Sequence, residues 1–344
     1  MSDITIREIA KMADVSIGTV DRVLHNRGNV KKEKADRILE ICRQMNYEPN
    51  MLARAMMLRK KNLKVAVIME EPGENVFQLS LKKGLDQICE EWKDYNISME
   101  YFYLKEQTWN GQAAYIKQVS EGRYDGLIIK PVNHPQIREL LSEMTKSGIP
   151  VVTCTSELED FTPLCYVGQN HEKEGRMAAN MLLKCVPDLE SVLILTIEKN
   201  VLARVQKIKG FQEYLTEYRK HFPVQEVIEY REDAKDVYKK TLDALKKYPD
   251  VQALYAHTRY LDAVYQAAEE TGRGQDLAIF SFGYRENVGR YLREGKITFA
   301  IEENPYRHGY LAGKEIFNYL ISNKMPERER RYVDSQILIE ESVM

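Results

Sequence analysis

Residues 4–56 read ITIREIAKMADVSIGTVDRVLHNRGNVKKEKADRILEICRQMNYEPNMLARAM, and their spacing decides the fold of the N-terminal head. Thr5-Ile6-Arg7-Glu8 has the spacing of a capping box, in which the Thr hydroxyl and the Glu carboxylate satisfy backbone donors at a helix start. Ile6, Ile9, Ala10 and Ala13 recur at helical spacing until Asp14-Val15-Ser16 breaks the run and supplies a second N-cap at Ser16. On the next helix Val20, Val23 and Leu24 share one face, which leaves Ile17, Gly18, Asp21, Arg22 and His25 outward. An Arg and a His shown to solvent just after a tight turn form the recognition-helix pattern of a helix-turn-helix. A third helix runs from Asn29 to Met45 with Ala35, Ile38, Leu39 and Cys42 inward. Tyr47-Glu48-Pro49-Asn50 stops it, and Met51 to Met56 restart a short helix that is too small to be stable alone.

Working outward, the charge is divided along the chain. Residues 1–64 hold 14 Lys and Arg against 8 Asp and Glu, a net of +6, and the chain totals of 50 and 52 leave 36 against 44, a net of -8, for the remainder. A basic head suits phosphate contact with counterion release, and an acidic body resists collapse onto DNA. No apolar stretch reaches membrane-spanning length, and MSDITIREIAK lacks the regions of a signal peptide, so a cytoplasmic location is expected. Cys42, Cys89, Cys154, Cys165 and Cys185 show no paired spacing and read as reduced thiols. The histidines show no metal spacing, and there is no Gly-Lys-Ser/Thr phosphate loop or G-x-S-x-G elbow, so no cofactor is expected.

From Leu63 onward, apolar strands alternate with amphipathic helices. The first unit takes strands at 65–69, 97–104, 127–129 and 150–152, and the second takes strands at 191–196, 227–230, 253–255 and 277–282. Two βα units in tandem imply an α/β body of two lobes with parallel sheets and a cleft at the strand C-terminal ends. The run Glu327 to Arg331 reads as a solvated connector before a last strand, Gln336 to Ile339.

The head resembles the DNA-binding segment of the lactose-repressor (LacI/GalR) family, from T-I-x-x-[IV]-A through V-S-x-x-T-V-x-R-V-L to Y-x-P-N-x-x-A-R, over almost all of residues 4–56. The body is similar to the same family's two-lobed periplasmic-binding-protein-like domain. The similarity lies in Tyr166 to Asn170 with Glu174 to Ala179, Lys207 to Phe211, Ile279 to Phe282, and Asn304-Pro305 with Gly309 and Ala312. The resemblance implies a helix-turn-helix domain at 1–49, a hinge helix and linker at 50–62, and an effector-binding domain at 63–344. Its N-lobe would be about 63–160 and 290–322, and its C-lobe about 161–289 and 323–344. It further implies a homodimer on a pseudo-palindromic double-stranded DNA operator, a transcriptional repressor in function, with binding controlled by a small-molecule effector.

In that frame Arg22 is the expected base reader, because a guanidinium matches guanine O6 and N7. Ile17 would touch a thymine methyl, and Gly18 contributes almost nothing from a side chain. Thr5, Ser16, Thr19 and His25 are the expected phosphate contacts. Asp21 accepts from a cytosine amino group or pairs with His25, the pairing being favoured. In the hinge, Asn50, Ala53 and Arg54 accompany Met56, which stands where the family has a Leu that wedges into the minor groove.

The expected effector residues are Asn75, Phe77, Lys130, Lys207 and Asn304, with Arg259, Tyr260, Tyr284 and Arg285. Lys207 replaces the family's Arg, Gly283-Tyr284 replaces its last C-lobe Asp, and Arg259-Tyr260 replaces its N-D pair. Fewer carboxylates and more cations point to a carbohydrate-derived or otherwise anionic effector, such as a sugar acid or sugar phosphate. Catalysis is not expected, because Glu70-Glu71 and Glu302-Glu303 are adjacent strand residues that point to opposite faces. A transport solute-binding protein would need an export signal and would have no use for a basic head.

Overall fold

A computed structural model describes residues 4–24, 30–45, 61–197, 202–218, 224–231, 233–283 and 286–343. The head places α1 (Ile6–Ala13), α2 (Ile17–Leu24) and α3 (Lys32–Gln44) around Ile9, Ala10, Ala13, Val20 and Ile38. Helices this short are held by shared burial, since a turn or two of helix is marginal by itself. The capping box forms as its spacing predicts: the Glu8 N–H donates to the Thr5 hydroxyl at 3.4 Å, and the Thr5 N–H donates to the Glu8 carboxylate at 2.7 Å. Asp14, at φ +53°, turns the chain between α1 and α2. One inward residue differs from expectation. Leu39 is 40% exposed, and Ile41 packs beside Cys42 instead. Ile38 sets the inward face, on which i+3 and i+4 fall, whereas Leu39 lies roughly 100° round the helix. His25, Asn50, Ala53, Arg54, Met56 and the expected hinge helix lie outside the described residues.

In the body, β1 (Leu63–Glu70), β2 (Ile97–Leu104), β3 (Gly126–Ile129), β4 (Val151–Cys154) and β5 (Cys165–Gly168) come first. Next are β6 (Val192–Ile197), β7 (Val224–Tyr230), β8 (Ala253–His257), β9 (Ala278–Phe282) and β10 (Phe299–Glu302), followed by β11 (Arg330–Tyr332) and β12 (Gln336–Leu338). Two six-stranded sheets result, ordered β11-β5-β4-β3-β1-β2 and β12-β10-β9-β8-β6-β7. Strands β1 to β5 pair in parallel within the first sheet and β6 to β10 within the second, while β12 runs antiparallel to β10. Buried central strands such as Val192–Leu195, all 0% exposed, fit sheets covered on both faces.

The chain passes between sheets after β5, after β10 and after β11. The first passage leads into α7 (His171–Cys185), and the second into α12 (Pro305–Ser322), which packs Leu311, Ile316 and Phe317 on the first sheet. The lobes are therefore 63–168 with 305–332, and 171–302 with 336–343. This corrects the expected boundaries near 160, 290 and 322. Strand β5 is buried throughout and pairs with β4, so it belongs to the first sheet. Helix α11 (Glu286–Arg293) buries Val288, Tyr291 and Leu292 against the second. The expected connector at 327–331 is also corrected, because its last residues form β11, an edge strand parallel to β5. An edge strand needs backbone partners on one side only and can keep charged side chains in water.

Helix pairs in the two lobes meet in the same way. Helix α4 (Val76–Glu91) crosses α12 at Gly84 and Gly309, and α7 crosses α8 (Leu202–Tyr218) at Gly175 and Gly210. A Cβ on any of these glycines would stand between 1.9 and 2.1 Å from a carbonyl oxygen of the facing helix. The starts of α7 and α12, both next to a lobe crossing, are thereby fixed against α8 and α4, the helices that follow β6 and β1. Among the described residues no helix is long and apolar enough to cross a membrane.

Candidate functional site

The outer face of α2 is the first candidate surface. Val20 is fully buried, while Ile17 is 48% exposed and Gly18 and Arg22 are open to solvent. Thr19 and Asp21 are half-buried. Ser16 begins the helix: its hydroxyl accepts from the Thr19 N–H at 3.2 Å and lies 2.9 Å from the Thr19 hydroxyl. The Thr5 hydroxyl donates to Glu8 at 2.9 Å. These hydroxyls still have acceptor capacity; the Thr5 hydrogen is engaged within the head, and the Ser16–Thr19 bond uses the hydrogen of one of its two hydroxyls.

The second candidate lies at the strand C-terminal ends, where the two lobes meet. Lys130 follows β3 and pairs with Glu70, the last residue of β1, at 2.9 Å. The Lys130 charge holds the Glu70 carboxyl below its ordinary range despite burial, with a further contribution from Arg204 on α8. Side-chain amides of Gln112 and Gln107 donate to the Lys130 carbonyl at 2.7 and 3.2 Å, which fixes the loop. Asn75 caps α4 by accepting from the Phe77 N–H at 3.1 Å, and the Phe77 ring stands edge-on to His308, 6.4 Å between centroids. Asn304, at φ +47°, caps α12 by accepting from the Arg307 N–H at 3.2 Å. On the opposite lobe, the Arg259 guanidinium lies 5.0 Å from the Tyr260 ring centroid at the end of β8. Tyr284 and Arg285 lie outside the described residues.

Lys207 departs most from expectation. Its side chain is 3% exposed, its ammonium bonds Glu303 and lies 3.2 Å from Glu174, and it sits 4.6 Å from the Phe282 ring centroid. Burial pulls this ammonium's pKa down, but the charges of Glu174 and Glu303 outweigh that and leave it raised. Burial likewise pushes the Glu303 carboxyl up, and Lys207 reverses the sign to leave it lowered. The expected cationic lining is thus corrected at both lysines. A cation this deep is tolerated because it is paired, and the two carboxylates more than cancel its positive charge.

Several residues here were not singled out by sequence reasoning. His171, the first residue of α7, holds Nε2 3.0 Å from the Thr155 carbonyl and 3.1 Å from the Tyr166 hydroxyl, with Nδ1 3.2 Å from Glu174. Tyr166 donates to the Gln169 carbonyl at 2.9 Å. His308 is fully buried, and burial holds its pKa down at about 3, so the ring is neutral. Among the described residues, both His308 nitrogens, the Thr153 and Thr155 hydroxyls and the Tyr255 hydroxyl are buried without a protein partner. The one sequence signal was His-x-x-Glu at 171–174, which puts both side chains on one face directly after an N-cap.

Against known proteins, residues 5–50 match the bacterial regulatory proteins of the lacI family and residues 65–324 match the periplasmic binding protein domain. The chain belongs to the periplasmic binding protein domain family through its body, and its head is a lacI-family DNA-binding domain. Catabolite control protein A of Priestia megaterium is 28% identical over 62% of this chain and 62% of its own length. The ribose operon repressor of Halalkalibacterium halodurans is 23% identical over 81% of this chain and 80% of its own. The chain spans less than two-thirds of the length of the first curated relatives it matches, between 52% and 62%. A glucose-galactose binding protein from Geobacillus stearothermophilus superposes with a TM-score of 0.75 at 21% identity, covering 82% of this chain and 99% of that one, which establishes the shared fold. This chain joins the two modules in one polypeptide.

Proposed function

We propose that this chain is a sequence-specific DNA-binding transcriptional repressor whose operator binding is controlled by a neutral carbohydrate held between the lobes. The exposed face of α2, with Arg22 and Ile17 outward on a basic head, carries the reading. Two copies of the chain would set two such helices in successive major grooves of a pseudo-palindromic operator, with Met56 at the hinge. The protein would work in the cytoplasm, where its DNA is.

The effector class follows from the site's charge balance. Lys130 is paired with one carboxylate and Lys207 with two, so neither leaves a net positive charge. Among the described residues the buried groups left without a protein partner include the Thr153, Thr155 and Tyr255 hydroxyls and the neutral His308 nitrogens, beside the Gln78 amide oxygen. Such groups match the hydroxyls of a polyol, each of which both donates and accepts. The names of two relatives, a ribose operon repressor and a glucose-galactose binding protein, agree with that class. Catalysis has no support: Glu70 and Glu303, the inward members of the two adjacent Glu pairs, are already bound to lysines.

Selection from a random DNA pool with the full chain tests the first half, and a palindromic consensus is the expected product. Calorimetry with D-ribose, D-allose, D-galactose and myo-inositol beside D-galacturonate and glucose 6-phosphate tests the second. Binding confined to the charged compounds would overturn the neutral assignment.

A further inference from the structure

The position of Lys207 on α8 suggests a cation reaching into the cleft, and its contacts tie it to the lobe crossings instead. Three segments connect the lobes, and each meets this one ammonium within two bonds. Glu303, its first partner, lies in the second crossing, and the Glu303 backbone carbonyl accepts from the Gln169 side-chain amide in the first. Glu174, its second partner at 3.2 Å, accepts from the Ser335 hydroxyl in the third crossing. Glu174 also faces His171 Nδ1 at 3.2 Å, and His171 Nε2 reaches the Thr155 carbonyl at 3.0 Å, across to the other lobe.

We propose that Lys207 is a positioning residue that clamps the three lobe crossings at one angle and so transmits effector occupancy to the head. An ammonium has three donors, and here carboxylates on two sides and the Phe282 ring on a third engage it. Rotation of one lobe against the other moves Thr155 relative to His171. Hydrogen bonds weaken steeply once distances and angles leave their narrow range, so the buried chain favours one lobe angle over its neighbours. An arrangement with discrete preferred angles is what a switch requires. The proposal rests on the effector-gated reading above, and its test separates the two.

Ketone-bearing residues placed at exposed Glu121 and Lys246, one per lobe, and spin-labelled avoid the native thiols and report the interlobe distance in the full chain. Lys207→Met leaves two buried carboxylates without their cation and is open to failure of folding. The triple variant Lys207→Met, Glu174→Gln, Glu303→Gln removes those charges while keeping side-chain volume. The triple variant is expected to give a broader interlobe distance distribution than wild type. In the absence of any sugar, its affinity for the duplex enriched by the wild-type chain should shift roughly tenfold. A wild-type distance distribution in a folded triple variant would overturn the clamp. A wild-type chain that enriches no DNA sequence would overturn the regulator reading, and the distance measurement would still decide the clamp.

Discussion

Gly84 and Tyr306 pack so closely that a methyl group on the Gly84 α-carbon would stand 2.0 Å from the Tyr306 carbonyl oxygen. The contact is backbone on backbone, so no rotamer change relieves it. Gly309 repeats it from the other side against the Leu81 carbonyl at 2.1 Å. Gly84→Ala must therefore push α4 and α12 apart where the second lobe crossing enters α12. The expected loss is about 3 kcal/mol of stability, the upper end for overpacking. Urea unfolding of Gly84→Ala checks this, and Gly73→Ala, which has nothing within 4 Å but sits at φ +43°, gives the strain-only comparison.

How much of this was legible beforehand depended on the range of the interactions. The head was legible almost residue by residue, because capping boxes and helical spacing are local: Thr5, Glu8 and Ser16 do what their spacing implies. The lobes were legible as a class from apolar strands, but β11 was not. Arg330–Tyr332 joins a sheet through backbone bonds to β5, far away in sequence, and its side chains carry no strand pattern. Lys207 was found but misread. Its charge is visible in the sequence, whereas Glu174 and Glu303 become its partners only when three crossings converge.

Arg22 tests the DNA surface. It is exposed on α2 beside Ile17, with Val20 facing inward. Arg22→Ala is expected to weaken binding to the selected duplex by about 1 to 3 kcal/mol and to relax preference at one base pair, leaving the salt dependence little changed. Fluorescence anisotropy against the consensus and its single-base variants measures both. A uniform loss across all variants would reassign Arg22 to phosphate.

Thr5 separates folding from binding in the head. Its hydroxyl accepts from the Glu8 N–H and donates to the Glu8 carboxylate, whose pKa is lowered by the Thr5 backbone and side-chain hydrogen bonds. Thr5→Ala removes the cap and is expected to destabilise α1 by about 1 kcal/mol. Thr5→Ser keeps the cap and should behave as wild type. Amide exchange at Ile9 and Ala10 reads the loss, since both lie in the core that α1 supplies.

The His308 imidazole gives the body a pH dependence of definite sign. Burial holds its pKa at about 3 against an ordinary 6.5, with Glu303 pulling upward and His171 and Lys207 pushing down. Below pH 6.5 the unfolded ring takes up a proton that the folded ring refuses, so stability falls as pH falls. At about 1.4 kcal/mol per unit, the loss between pH 6.5 and 5.0 is about 2 kcal/mol. Glu303 is held below its ordinary 4.5, so the stability it contributes is lost only at still lower pH, outside this window. His308→Leu removes the proton uptake while keeping an apolar side chain among buried neighbours. Its urea-unfolding free energy should decline less than that of wild type between pH 6.5 and 5.0, by about 2 kcal/mol. Parallel pH profiles for the two proteins would show that the folded ring is protonated, and would remove the neutral donor-acceptor character on which its match to a sugar hydroxyl depends.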